Sequence, residues 1–208
     1  MAHRPPLRIG LTGGIGSGKS SVANVLVGHG AALVDTDAIA RALTQPGGAA
    51  IDAIAAAFGP EFIAADGALD RVRMREQAFG DPAARQQLEA ILHPLIGAEA
   101  QRQAQASSAA VIVFDVPLLI ESGRWRERVD RVLVVDCQEQ TQIERVIARS
   151  GWTRAAVEAA IAQQATRALR RRCADAVIFN DGITLGELAA AVRSLWSHWS
   201  NDASHASG

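Results

Sequence analysis

One octapeptide constrains this chain more than any other: Gly13-Gly14-Ile15-Gly16-Ser17-Gly18-Lys19-Ser20. It satisfies G-x-x-x-x-G-K-[ST] in full. It also lies where that pattern has mechanical meaning, between an apolar run at 7–12 that reads as a strand and a helical stretch at about 19–27. Glycines there let the backbone wrap an anion and aim its N–H groups inward, at the positive end of the following helix. The implied ligand is a polyphosphate. Lys19 reaches the β- and γ-phosphates, and the Ser20 hydroxyl ligates Mg²⁺. Of the 21 lysines and arginines in the chain, Lys19 is the only lysine. A chain that uses arginine everywhere else keeps one compact, flexible ammonium at the one place that needs it.

The rest of the chain repeats the strand-helix alternation. Runs at 111–115 and 131–136 are continuously apolar and rich in β-branched residues, the pattern of strands buried on both faces of a parallel sheet, and 32–35 and 176–180 read as two further strands. Helical stretches at 139–149, 153–172 and 184–198 separate or follow them. The fold class is therefore α/β, a five-stranded parallel sheet flanked by helices. Residues 36–108 hold helical pieces and no strand, so they read as a helical lobe attached to a core at about 7–35 and 109–198. Within the lobe, Asp81-Pro82 marks a helix start, and His93-Pro94 predicts a break or kink. The small polar residues at 200–208 read as a disordered tail.

At 208 residues the chain is long enough to hold a core without disulfides or structural metal. Cys137 and Cys173 are too few and too scattered for either, which fits a reducing compartment. The first six residues carry no apolar signal-peptide stretch, and no run approaches the length of a membrane span. The expectation is a cytoplasmic protein with no membrane partner. The formal net charge of −1 and the lack of aromatic interleaving around Arg170-Arg171-Arg172 argue against nucleic acid. The four tryptophans read as packing residues.

A phosphate-binding loop names a ligand, not a reaction. GTPases commonly read guanine with Asn-Lys-x-Asp, and with Lys19 already used no such motif exists here. ATPases, motors and small-molecule kinases remain, and a motor normally brings a longer chain. A kinase needs an acceptor hydroxyl, a group that orients or deprotonates it, and cations that offset moving charge. Asp35 and Asp37 follow the second strand at the ligand-binding rim of the sheet. Asp35 reads first as a helix cap and Asp37 as the reactive carboxylate. Asp115 ends the third strand, placed to hold Mg²⁺. Arg145, Arg149, Arg154 and Arg167 crowd a helix-turn-helix at about 145–170 with Gly151-Trp152 at its break, the composition of a phosphate-closing lid. Arg71, Arg73 and Arg75 form a further basic cluster, open to two readings, a solvated helix face or a contact for a charged acceptor.

The sequence resembles the dephospho-coenzyme A kinases from about residue 9 to 191. The resemblance rests on Leu11-Thr12-Gly13-Gly14-Ile15-Gly16-Ser17-Gly18-Lys19-Ser20, Asp35-Thr36-Asp37 and Leu69-Asp70-Arg71. It continues through Leu92-His93-Pro94-Leu95-Ile96, Val116-Pro117-Leu118-Leu119 with Glu121, Gln164-Ala165-Thr166-Arg167, and Ala174-Asp175 leading to Asn180-Asp181-Gly182. Ser21 replaces a threonine common in that family and keeps the hydroxyl. The resemblance implies a P-loop kinase with a helical acceptor-binding lobe and an arginine-rich lid. The implied reaction uses ATP and Mg²⁺ to phosphorylate the ribose 3′-hydroxyl of dephospho-coenzyme A. Asp37 is then the proton acceptor, with Lys19 and Arg149 offsetting charge on the moving phosphoryl group. ATP is held by Gly13 to Ser21 together with Arg145, Arg167 and Asn180. Thr12, Asp37, Arg71, Arg75, His93, Pro117 and Leu118 meet the acceptor, and Ser20 and Asp115 hold the metal. The alternatives are another small-molecule or nucleoside kinase of the same fold, and a non-catalytic ATP-binding protein. Oligomeric state is not legible.

Overall fold

The computed structural model describes residues 5–205. In chain order it contains β1 (Leu7–Gly13), α1 (Lys19–Gly28), β2 (Ala32–Asp35), α2 (Thr36–Leu43), α3 (Ile51–Phe58), α4 (Arg71–Gly80), α5 (Pro82–Ala106) and β3 (Val111–Asp115). Then follow α6 (Leu119–Ser122), β4 (Arg131–Asp136), α7 (Glu139–Ser150), α8 (Arg154–Ala162), α9 (Arg167–Arg172), β5 (Ala176–Phe179) and α10 (Leu185–His205). The chain divides into two compact units, one made of the segments up to Val34 and from Ser107 onward, the other of Asp35–Ala106.

The first unit holds a five-stranded sheet in the order β2-β3-β1-β4-β5. β1 pairs in parallel with β3 on one side and β4 on the other, and β4 pairs in parallel with β5. All five expected strands are present. β3 is buried along its whole length, as is β4 beyond Arg131. Helices α1 and α10 cover one face: Val22, Ala23, Leu26, Leu188 and Val192 pack on Ile9, Leu11, Leu133 and Val135. Each of the valine, leucine and isoleucine side chains contributes about 1.5–3 kcal/mol by leaving water. Leu133→Ala, at the centre of this layer, would cost roughly 2–5 kcal/mol.

This order creates the crevice. The chain leaves β1 toward β2 on one side, and leaves β3 toward β4 on the other. The carboxyl ends of β1 and β3 therefore flank the point where the connections diverge, where open α/β sheets bind ligands.

The second unit is helical, as the composition of 36–108 predicts. Ala50, Ile54, Phe62, Leu69 and Met74 form its core, against Leu88, Ile91, Leu92 and Leu95 of α5. Aspartates start three of its helices. Asp35 accepts from Ala38 N at 2.8 Å, Asp70 from Val72 N and Arg73 N at 3.1 and 3.0 Å, and Asp81 from Ala83 N at 2.8 Å.

Three expectations are corrected. Of the break or kink expected at Pro94, the break is absent: α5 runs 25 residues through it. Proline removes one intrahelical bond, and burial of residues on both sides, from Leu92 and Leu95 to Gly97 and Ala100, outweighs that loss. The predicted single helix at 153–172 is two, α8 and α9. Thr166 caps the second by accepting from Leu169 N at 3.2 Å. The expected disordered tail is helical as far as His205; residues 206–208, like residues 1–4 of the amino-terminal reading, lie outside the described residues. Among the described residues no helix is long and apolar enough to cross a membrane. Cys137 is buried, Cys173 is half-buried, and both are free thiols.

Candidate active site

The octapeptide forms the turn from β1 into α1. Gly18 caps α1 at φ 91°, a left-handed conformation that favours glycine. From this cap Ser21 N and Val22 N donate to Gly18 O, while Ser17 N closes the loop on Gly14 O at 3.0 Å. The loop is also braced from outside. The buried Asn180 donates Nδ2 to Ser17 O at 2.8 Å, and a Cβ on Gly18 would collide with that same amide. Gln164 accepts from Ile15 N at 3.0 Å. Arg145 Nη1 lies 3.5 Å from the carbonyls of Gly16 and Ser17.

Lys19, in the first turn of α1, forms an ion pair with Asp115 at the end of β3. The two side chains are 18% and 10% exposed, so water screens the pair weakly. Sequence separates these residues by 96 positions; adjacency of β1 and β3 brings them together. Ser20 is exposed beside them. A hydroxyl and a carboxylate are hard oxygen donors of the kind Mg²⁺ takes in ones and twos, with phosphate and water completing its shell. Among the described residues no group of three His, Cys, Asp or Glu forms a closed metal cage. The donor set fits a cation carried in with a polyphosphate.

Arg167 is less free than a phosphate clamp. Its Nε and Nη2 grip both oxygens of the buried Asp136 at 2.9 Å, and Nη1 donates to Gln138 Oε1 at 2.6 Å. The Asp136 carboxylate holds this guanidinium above the usual arginine range. Asp136 also accepts from Asn180 N at 2.8 Å through its own carbonyl. Arg167 thus ties α9 to the β4 end and to the segment carrying Asn180. Asp181 extends the tie by accepting from Gln138 N at 2.6 Å and from Thr141 Oγ1 at 2.9 Å. The Gln138 N–H bond holds its carboxyl below the usual range.

The helix-turn-helix at 139–162 has its own small core. Ile143, Val146 and Val157 pack with Ile147, Ile161 and Ile15 of the loop itself. Gly151 ends α7 at φ 65°, and Thr153 Oγ1 caps α8 from Ala156 N at 3.3 Å. Arg149 is exposed in the last turn of α7, bonded to Ser150 Oγ at 3.3 Å, and Arg154 pairs with Glu158. Trp152 is exposed at the break.

Other expected site residues have different surroundings. Thr12 is fully buried and donates its hydroxyl to Pro117 O at 3.0 Å, fixing the segment after β3; Leu118 is exposed. In the helical unit, Asp35 is the cap of α2, as its first reading holds. Asp37 is exposed in the first turn of α2, and among the described residues nothing pairs with it. Arg71 donates to Thr44 Oγ1 at 2.9 Å and Arg41 O at 3.3 Å. Arg75 is exposed, and His93 is half-buried in α5.

Sequence reasoning gives no role to Gln142 or Arg170, yet both are buried against Gly14. The run Arg170-Arg171-Arg172 is not one solvated face: Arg170 turns in, while Arg171 and Arg172 are exposed. Helical spacing held the signal, because Arg167 and Arg170 are three apart and share a side of α9.

Comparison with known proteins agrees with this geometry. The family model described as dephospho-CoA kinase matches residues 7–185. Dephospho-CoA kinase of Albidiferax ferrireducens is 58% identical over 196 residues, 93% of this chain and 92% of that protein. That of Burkholderia pseudomallei is 57% identical over 187 residues, 90% and 92% of the two chains. The crystal structure of a Thermus thermophilus protein superposes with a TM-score of 0.82 at 33% identity, covering 94% of this chain and 98% of that one. Dephospho-CoA kinase from Campylobacter jejuni shares the fold, with a TM-score of 0.69 at 21% identity over 94% and 98% of the two chains. On the family match and these identities, the chain belongs to the dephospho-CoA kinase family.

Proposed function

We propose that the protein transfers the γ-phosphoryl group of ATP to the ribose 3′-hydroxyl of dephospho-CoA, giving CoA and ADP, as a cytoplasmic enzyme. The observation that carries this reading is the Lys19–Asp115 pair at the mouth of a glycine loop opening a helix.

The loop amides and the α1 amino terminus receive the polyphosphate, whose charge they offset without reorganising. When phosphate arrives, Lys19 exchanges part of its contact with Asp115 for the β- and γ-oxygens. Ser20 and Asp115 are the residues that would hold Mg²⁺, which supplies charge neutralisation along the polyphosphate. Asn180 and Arg167 keep the nucleotide end of the loop in shape, one through the Ser17 carbonyl and one through Asp136.

Asp37 lies two residues beyond the end of β2 and carries no competing partner among the described residues. It accepts the proton of the 3′-hydroxyl as that oxygen bonds to the γ-phosphorus. The bond from the γ-phosphorus to the β–γ bridging oxygen breaks, and its electron pair leaves with ADP. Arg149 and Arg145, on α7, offset charge on the moving group, and closure of α7 and α8 excludes water. Arg75, His93, Thr12, Pro117 and Leu118 are assigned to the acceptor. Arg71, already engaged by Thr44, serves it by holding α4 to the end of α2.

An acceptor screen for ADP release tests this. Dephospho-CoA should release ADP with Mg²⁺ present, while nucleoside monophosphates and small hydroxy acids at equal concentration should not. Comparable turnover on another acceptor, with none on dephospho-CoA, rejects the assignment.

A further inference from the structure

Arg170 is a buried guanidinium in the sheet-bearing unit. Only 3% of the residue is exposed. Taking a guanidinium out of water costs several kcal/mol, so buried arginines face carboxylates. Among the described residues Arg170 forms no ion pair. Its Nη1 donates to Ala165 O at 2.5 Å, and its Nε has no acceptor. Glu121 and Asp136 attract it from a longer range, and burial still pushes it below the usual arginine range. Meanwhile Nη2 is directed at the phosphate-binding loop, where a Cβ on Gly14 would stand 2.8 Å from it. The Gln142 amide nitrogen crowds the same glycine, and Gln142 Oε1 likewise has no partner.

We propose that Arg170 is a catalytic residue whose buried guanidinium takes the nucleotide's polyphosphate as its counter-charge. The alternative, an inert brace behind Gly14, does not account for a buried cation: an apolar side chain of the same length would brace without the desolvation cost. An anion is the one class of ligand that the loop, the helix end and Lys19 all select, and it is what Arg170 lacks. Glycine at position 14 then has a reason beyond loop curvature, since any side chain would displace the guanidinium. During transfer, charge grows on the β–γ bridging oxygen as its bond to phosphorus breaks, and the Arg170 N–H groups offset it. The inference rests on the phosphotransfer reading of this site, and nucleotide binding tests it separately from the acceptor.

The experiment compares wild type with Arg170→Met, Arg170→Gln and Arg170→Lys by thermal unfolding, alone and with ATP, inorganic tripolyphosphate or AMP. It adds steady-state turnover on dephospho-CoA. Arg170→Met should unfold at or above the wild-type temperature without ligand. It should lose most of the ATP and tripolyphosphate shifts, keep any AMP shift, and fall by ~10²-fold or more in kcat/KM, the scale of one lost charge-stabilising group. Arg170→Lys should recover more activity than Arg170→Gln, because it restores charge. A Met variant that unfolds early yet binds and turns over ATP as wild type does would make Arg170 a brace and overturn the proposal. Should Arg170→Met fail to fold, the other two decide, since both keep a polar end at this site; equal constants for Lys and Gln overturn the inference. A wild type that gives the ATP shift but no CoA rejects the acceptor assignment, and the Arg170 shifts are still read.

Discussion

Removing the Lys19 ammonium should destabilise the ligand-free protein, because the largely buried Asp115 carboxylate then loses the cation it pairs with. Breaking a buried ion pair from one side costs roughly 3–5 kcal/mol. The side-chain exposures of 18% and 10% let some water reach the carboxylate, which brings the expectation to roughly 2–3 kcal/mol for Lys19→Met. For a chain of this size each kcal/mol moves the unfolding temperature by roughly 2–4 °C, so the variant should unfold about 4–12 °C lower. It should still fold, since native domains hold about 5–15 kcal/mol in reserve. Adding Asp115→Asn removes the stranded charge, and the double variant should recover most of the lost stability. Differential scanning calorimetry of the four proteins of the cycle, without nucleotide, reads this directly. Turnover of both single variants should fall by ~10²-fold or more. Lys19→Arg should fail similarly, since a planar guanidinium does not fit the compact place of an ammonium. A Lys19→Met protein as stable as wild type, or a double variant no more stable than the single one, would refute the pairing as an energetic feature. An arginine variant with a near-normal rate would refute the account of the lone lysine.

Three other outcomes follow from named contacts. Asp37→Asn should leave ATP affinity nearly intact and slow transfer by ~10²-fold or more, the range of a general base; a mild rate loss with much weaker ATP binding, read by calorimetry, would make Asp37 a nucleotide ligand instead. Arg149→Ala, on the exposed end of α7, should slow transfer far more than it weakens dephospho-CoA binding, and Trp152 fluorescence in wild type should change when both substrates bind. An unchanged signal with full activity in the variant would remove the lid. Burial pushes the Cys137 thiol from 9.0 up to about 11. Its folded form therefore holds the proton longer than the unfolded one, and the stabilisation is complete below pH 9 and lost as pH rises toward 11. The loss amounts to about 2–3 kcal/mol at 1.36 kcal/mol per unit, visible as a steeper alkaline decline in wild type than in Cys137→Ala.

The parts legible in the sequence were those whose cause is local. The octapeptide, the apolar strands and the aspartate and threonine caps each depend on residues within a few positions, so the sheet, its parallel sense and the Lys19 loop were all readable. Pro94 misled because its local penalty is overridden by the packing of α5 on either side. The break between α8 and α9 was hidden by helical spacing that continues through Gln163-Gln164, and the bond from Ile15 N to Gln164 that marks it spans 149 positions. Arg170 was masked by its neighbours: a triple arginine has the composition of a solvated face, whatever the burial of its first member. The Arg167–Asp136 grip was out of reach for the same reason as Lys19–Asp115, since both need the order of the strands.

The most direct measurement joins mass spectrometry with NMR on the product formed from ATP, Mg²⁺ and dephospho-CoA, using wild type and Lys19→Met side by side. Wild type should convert dephospho-CoA into a species one phosphate heavier, with the new phosphate on the ribose 3′-oxygen and one ADP formed per product, while Lys19→Met gives almost none. Phosphate on any other oxygen, ADP formed without a phosphorylated acceptor, or full conversion by Lys19→Met would contradict phosphoryl transfer at this site.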